Sequence, residues 1–199
     1  MTNDQLFHFL FIAIFLGMLF ISGYFRYRAR QSGEAIPRAR EGKPAVLGRL
    51  LFAAPLFLSI FAYMLNPQWM AWSSFPLPDW LRWLAAIVGL GMLPMIYWMF
   101  RSIGKNISET FLTKESHALV THGPYRWIRH PLYTFAMIGL ISLSLLAANW
   151  FMLLISCLAF IGIAAFVVPR EEAELGRKFG EAYRAYQERT GRFIPKLHL

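Results

Sequence analysis

Long uncharged apolar runs alternate with polar segments along this chain. Leu6 to Phe25 has no charged residue over about 20 positions, enough for a helix to cross a hydrocarbon core. Only Asp4 among charged residues precedes it, so the run reads as a first transmembrane helix and not a secretory signal. Val46 to Leu65 and Trp80 to Phe100 repeat the pattern. Arg49 near the start of the second run is placed to snorkel, and Pro55 predicts a bend. Gly89, Gly91 and Pro94 interrupt the third, which predicts close helix packing or a kink. Pro131 to Val168 is uncharged over about 38 residues, too long for one span and right for two. Ala147-Ala148-Asn149-Trp150 is the natural turn, giving a helical hairpin, and Pro169 is expected to end the fifth span.

The pattern changes from Pro169 to Thr190. Glu171, Leu175, Phe179, Ala182 and Tyr186 recur at helical spacing. This predicts an amphipathic helix on the membrane surface or docked on the bundle. Glu171 starts the stripe, with Glu172 taking its inward place if the helix begins one residue later. The expected fold is an all-α integral membrane protein of about five transmembrane helices, the last two a hairpin, with a C-terminal cytoplasmic amphipathic helix. Residues 1–199 are expected to form one domain, in which 101–133 and 169–199 build the cytoplasmic face.

Composition agrees. The chain of 199 residues is 57% hydrophobic and 16% charged, against about 25% charged in soluble domains. The net charge of +9 does not imply nucleic acid, because topology accounts for it. The first loop, the third loop and the C-terminal tail hold 6, 5 and 7 of the 20 lysines and arginines. The N-terminus, second loop and hairpin tip hold none. The positive-inside rule then puts the N-terminus outside and the C-terminus in the cytoplasm. That makes the Asn106 glycosylation sequon face the wrong side. Cys157 is the single cysteine and reads as a packing residue.

Chemistry concentrates in His117-Ala-Leu-Val-Thr-His-Gly-Pro-Tyr-Arg-Trp-Ile-Arg-His-Pro-Leu-Tyr133. These positions hold three of the five histidines, with bulky, stiff residues where a plain connection would use small polar ones. Pro131 suits the first turn of a helix. The fourth and fifth runs return the chain to the same side, so Arg129, His130, Tyr133, Arg170, Glu171 and Glu172 are expected to converge. The aromatics Tyr125, Trp127 and Tyr133 suit a flat ring, a carboxylate suits ribose or an ammonium, and backbone amides suit a carboxylate. No metal site is expected, because the histidines lack ligand spacing and a cysteine partner. The residues alone describe a polytopic membrane protein with a cytoplasmic pocket, enzyme or not.

The same stretch closely resembles the signature of the isoprenylcysteine carboxyl methyltransferase family and the related phospholipid methyltransferases. Pro169-Arg-Glu-Glu, Phe179-Gly-Glu-Ala-Tyr-Arg-Ala-Tyr186 and Arg189-Thr-Gly-Arg-Phe-Ile-Pro195 resemble its C-terminal pattern in order and spacing. The likeness covers about residues 104 to 196. It implies a membrane-embedded methyltransferase that uses S-adenosylmethionine on a lipophilic acceptor entering from the bilayer. Carried onto this chain, it implies that His117, Ala118, Leu119 and Val120 line the cofactor site and that Tyr125 contacts the cofactor. His130, Pro131, Leu132 and Tyr133 would close over it, and Glu171, or its neighbour Glu172, would bind it. Members that methylate carboxylates usually have an arginine two residues before the proline of Pro-x-Glu-Glu; here Val167 stands there. Arg170, a possible substitute, and Arg129 are the candidate catalytic residues. Two rivals remain: an NADPH-dependent sterol or steroid reductase, against which the Glu171-Glu172 pair argues, and a non-catalytic membrane carrier or assembly factor on the same scaffold.

Overall fold

The structure is a computed structural model that describes residues 2–31, 43–104 and 118–196, with the backbone alone for 43–49. The expectations for Arg49, for the Asn106 sequon and for His117 lie outside the described residues. Helix α1 (Asn3–Arg30) opens with a reciprocal cap: the Thr2 side chain accepts from the Gln5 amide while the Gln5 side chain accepts from Thr2. Helices α2 (Lys43–Leu65), α3 (Asp79–Ile103), α4 (Pro131–Leu146) and α5 (Trp150–Gly162) follow in chain order. Asn3–Arg30, Asp79–Ile103 and the continuous helix Trp150–Phe179 are long and apolar enough to span a membrane. Leu50–Leu65 and Pro131–Leu146 are shorter apolar helices. The chain is an all-α membrane protein, as its apolar pattern requires.

Packing places two cores at opposite ends of the bundle. The α3–α4 pairing is the most extensive, α1 crosses α3, and α2 lies on α5. One core joins Phe7, Phe11 and Ile14 of α1 with Leu56, Ile60, Leu143 and Leu146. The other joins Ile96, Met99 and Phe100 of α3 with Tyr125, Ile128 and Phe135. In lipid, helices associate through close packing. Gly89 serves it: a Cβ there would meet Ile14 Cδ1 at 3.0 Å and Ser142 Cβ at 3.4 Å, so its bare backbone lets α1, α3 and α4 meet.

The hairpin tip is tied down as well. Asn149 caps α5 by accepting from the Met152 amide at 2.9 Å, and its side-chain amide donates to Ser73 Oγ at 2.7 Å. Ser73 closes a 3₁₀ segment, Pro67–Ser73, which follows α2. The short second loop and the tip therefore close one end of the bundle together, leaving the other end to the chemistry-bearing segments.

Two expectations are corrected there. Pro169 does not end the fifth helix. The helix passes through a π turn, Ile163–Val167, into α6 (Val168–Phe179). Proline lacks the N–H that would bond four residues back. The wider turn, in which the Val168 amide bonds Ile163 O, absorbs that loss without breaking the rod. The amphipathic segment is also not one helix. Gly180, at φ +52, separates α6 from α7 (Glu181–Arg189). The break re-aims the second half, so Val168, Glu172, Tyr183 and Tyr186 are buried while Ala182 is exposed.

Candidate functional site

Three segments meet beyond the apolar part of the bundle. The first is the loop before α4, with its 3₁₀ turn Gly123–Arg126. The second is α6, on the polar continuation of the fifth span. The third is the tail after α7, which turns back along the loop in a short parallel pairing. Arg129 N–H bonds Gly191 O at 2.8 Å, His130 N–H bonds Arg192 O at 3.1 Å, and Gly191 N–H bonds Trp127 O at 3.3 Å. Gly191 has to be glycine: a Cβ there would fall 1.8 Å from Ile194 O. Thr134 Oγ1 donates to Phe193 O at 3.0 Å, and Tyr186 donates its hydroxyl to Tyr125 O at 2.6 Å. Together these bonds hold the loop, α4 and the tail in one register.

The two glutamates have separate environments. Glu172 is 7% exposed and is enclosed by cations. Its Oε1 receives Arg129 Nε at 3.0 Å and Arg192 Nε at 3.2 Å, and His130 Nε2 lies 3.2 Å away; its Oε2 receives a second Arg192 nitrogen. Arg129 also donates to the carbonyls of Gln187 and Thr190. Glu171, on the next position of the helix, is 21% exposed. Tyr133 donates to its Oε1 at 2.6 Å, and His130 Nδ1 lies 3.4 Å from its Oε2. Glu171 has an accessible edge; Glu172 is used up within the protein.

Electrostatics follow from this arrangement. Burial works against a charged His130, but the two carboxylates outweigh burial and raise it above its ordinary value. Burial likewise works against the Glu172 carboxylate. Its bonds to His130, Arg192 and Arg129 overcome that and hold it at about 2. The hydroxyl of Tyr186 is pushed up to about 12, chiefly by burial. Tyr183 Oη and Thr190 Oγ1 are buried beside this cluster with no hydrogen-bond partner among the described residues.

Most of the expected residues assemble here. Tyr133, His130 and Glu171 contact one another, and His130 links them to Glu172, with Arg129 on the Glu172 side. Pro131 is buried at the start of α4, and Tyr125, Leu132 and Val120 pack in the adjoining core. Leu119, Val120 and Thr121 run without helix or strand, and among the described residues they make no backbone hydrogen bond. Ala118 is exposed beside them. Arg170 is exposed on α6 and takes no part in the cluster's hydrogen bonds. Reading the sequence missed Arg192 and the Thr190-Gly191 turn as site residues. Charge balance was the available signal, because two adjacent glutamates turned inward need more than one arginine.

This arrangement can hold a cationic group. Glu171 offers a partly exposed carboxylate, and residues 119–121 offer backbone amides and carbonyls that are unpaired among the described residues. Among the described residues no group of three His, Cys, Asp or Glu side chains is close enough to hold a metal ion.

Comparison with known proteins gives the same region. The chain is 32% identical over 116 residues to the nickel-cobalt-cadmium resistance protein NccN of Alcaligenes xylosoxydans xylosoxydans, covering 58% of this chain and 53% of that protein. It is 33% identical over 114 residues to the cobalt-zinc-cadmium resistance protein CzcN of Cupriavidus metallidurans, covering 57% and 51%. It is 30% identical over 96 residues to a protein-S-isoprenylcysteine O-methyltransferase of Schizosaccharomyces pombe, covering 47% and 41%. The chain thus spans about half the length of the first two relatives and less of the third. The pattern of the phospholipid methyltransferase family matches residues 80–182, from the start of α3 into α7 and across both sides of the glutamate cluster. That is just over half of the 199 residues, and the chain belongs to the phospholipid methyltransferase family.

Proposed function

We propose that this protein is a membrane-embedded methyltransferase that uses S-adenosylmethionine to methylate a lipophilic acceptor drawn from the bilayer. The observation that carries the reading is the convergence of Tyr133 and His130 on the partly exposed Glu171 carboxylate, where the start of α4 meets α6. The cofactor supplies a methyl group on a sulfonium, already a good leaving group. The protein's task is then alignment and exclusion of water.

Glu171 receives the cofactor's ammonium group, and the backbone of 118–120 its polar edges. Tyr125 lines the site, and residues 130–133 cover it. Family membership and the O-methyltransferase name of the Schizosaccharomyces pombe relative support methyl transfer. The resistance names of the other two describe those proteins, and the reading does not require this chain to bind metal.

The acceptor side is apolar. Membrane-ward of Glu171 on the same rod stand Ile163, Ala164 and Val167, none of them charged and none fully buried. Among the described residues that face carries no cation, and Arg170, one position before Glu171, is exposed. This favours a lipid acceptor reacting through an amine or thiol, which must lose a proton, over an isoprenylcysteine-like carboxylate, which needs no base. We further propose that the N-terminus is outside and the C-terminus cytoplasmic, which puts the cluster on the basic, cytoplasmic side.

Calorimetry tests the central claim. S-adenosylhomocysteine should bind the detergent-solubilised protein, Glu171→Ala should weaken it, and NADPH should not bind. Binding of NADPH alone would move the assignment to a reductase. A folded sample that binds neither would remove the enzyme assignment.

A further inference from the structure

We propose that Glu172 is a positioning residue that holds His130 as an imidazolium, and that this charged ring in turn holds Glu171 ready for a ligand's cationic group. The second half rests on the role proposed for Glu171; the first half does not.

The geometry of one ring carries the proposal. His130 Nε2 lies 3.2 Å from Glu172 Oε1, and its Nδ1 lies 3.4 Å from Glu171 Oε2. Carboxylates only accept. A neutral imidazole has one N–H and one lone pair, so it would leave one carboxylate facing a lone pair. Only the doubly protonated ring serves both. Turning away is obstructed, because the ring stacks on Tyr133 at 5.9 Å, meets Phe193 at 5.9 Å, and its own backbone N–H is bonded to Arg192 O.

The groups around the ring are consistent with a cation there. Glu171 and Glu172 face it from α6. Arg129, from the same loop, and Arg192, from the tail, are both directed onto Glu172. Tyr133 comes from α4 and donates to Glu171, and Tyr183 comes from α7 near Glu172. Glu172 is 7% exposed and already bonded on both oxygens, so it has nothing left for a ligand. Glu171 keeps an open edge, and its orientation depends on Tyr133 and on a proton at Nδ1. Ligand affinity through Glu171 should therefore fall as His130 loses that proton.

Ring-nitrogen NMR on the full-length, histidine-labelled protein in detergent reads this directly, with His130→Gln identifying the signal. His130 should still hold both protons above its ordinary value near 6.5. Glu172→Gln should lower its titration by roughly 1–3 pH units, the effect of losing one close opposite charge. Arg192→Gln should raise it, a test of opposite sign should Glu172→Gln fail to fold. Calorimetry of S-adenosylhomocysteine should show affinity lost over the same pH range as the His130 proton. A His130 that is neutral at pH 7, or that titrates unchanged in Glu172→Gln, overturns the proposal. Affinity that ignores the His130 titration overturns the positioning role. No binding at any pH removes the cofactor assignment instead, and the NMR titration still decides between His130 and Glu172.

Discussion

The hydroxyl of Tyr133 donates to Glu171 Oε1 at 2.6 Å, across 38 residues of chain and from a different helix. A short bond to a charged acceptor at a partly buried site is worth about 1.5–3 kcal/mol. Tyr133→Phe keeps the ring and removes only the donor. S-adenosylhomocysteine affinity, measured by calorimetry, should fall roughly ten- to hundredfold, and the melting temperature should fall as well. An unchanged affinity would mean that Glu171 does not need Tyr133 to bind its ligand.

The tail is held by a turn that only glycine fits. Gly191→Ala places a Cβ against the Ile194 carbonyl, so the parallel pairing with Ile128 must shift. Overpacking of this kind costs about 1–3 kcal/mol. Gly91→Ala, in α3 with nothing within 4 Å of its Cβ, should be neutral or stabilising by about 0.5–1 kcal/mol. Thermal unfolding of both variants in one detergent separates the two effects.

The glutamate cluster should give stability two pH limits. Glu172 is held at about 2 in the folded protein against an ordinary 4.5. Its contribution is complete above 4.5 and is lost as pH falls from there through about 2. His130 is raised above 6.5, so its contribution is complete below that value and is lost as pH rises through its folded value. The melting temperature should be highest between these limits. In Glu172→Gln the acid decline should be shallower, and a curve that follows the unaltered protein below pH 4.5 would place the acid-labile group elsewhere.

At the opposite end of the bundle, Arg82 donates to Leu146 O at 3.1 Å and to Asp4 Oδ1 at 2.6 Å, with its guanidinium 4.1 Å over the Phe7 ring. It closes α1, α3 and the end of α4 together. Arg82→Ala leaves a buried carbonyl unpaired and should cost about 1–3 kcal/mol. Asp4 is 82% exposed, and Asp4→Asn should cost under about 1 kcal/mol. Equal shifts in melting temperature would mean that the Asp4 pairing, and not the bond to the α4 carbonyl, is the stabilising element.

The proposed orientation is open to a direct check. A reporter active only in the cytoplasm should work when fused after Leu199 and fail when fused before Met1. The reverse result would place the glutamate cluster outside and leave the positive-inside argument wrong for this chain.

The sequence by itself determined the class of this protein. Uncharged runs of spanning length can be stable only as helices in lipid, because every backbone polar group must be satisfied within the segment. It also determined the hairpin, through Asn149 at the turn, and the start of α4, through Pro131. The motifs on either side of that hairpin were legible because His130, just before α4, and Tyr133, in its first turn, bring polar groups to the end of an apolar helix that packing alone does not require.

Only the tertiary structure decided how the fifth helix ends and which glutamate does what. Pro169 reads as a stop, but a π turn whose bond runs five residues back carries the rod through it, and helical periodicity does not register that shift. Gly180 reads as one more helix position until its φ of +52 splits the segment. Glu171 and Glu172 are adjacent and chemically identical. A rotation of about 100° per residue turns one toward Arg129, Arg192 and His130 and leaves the other an open edge beside Tyr133. Burial and counter-charge, supplied by segments far apart in the chain, make the first structural and the second free to bind.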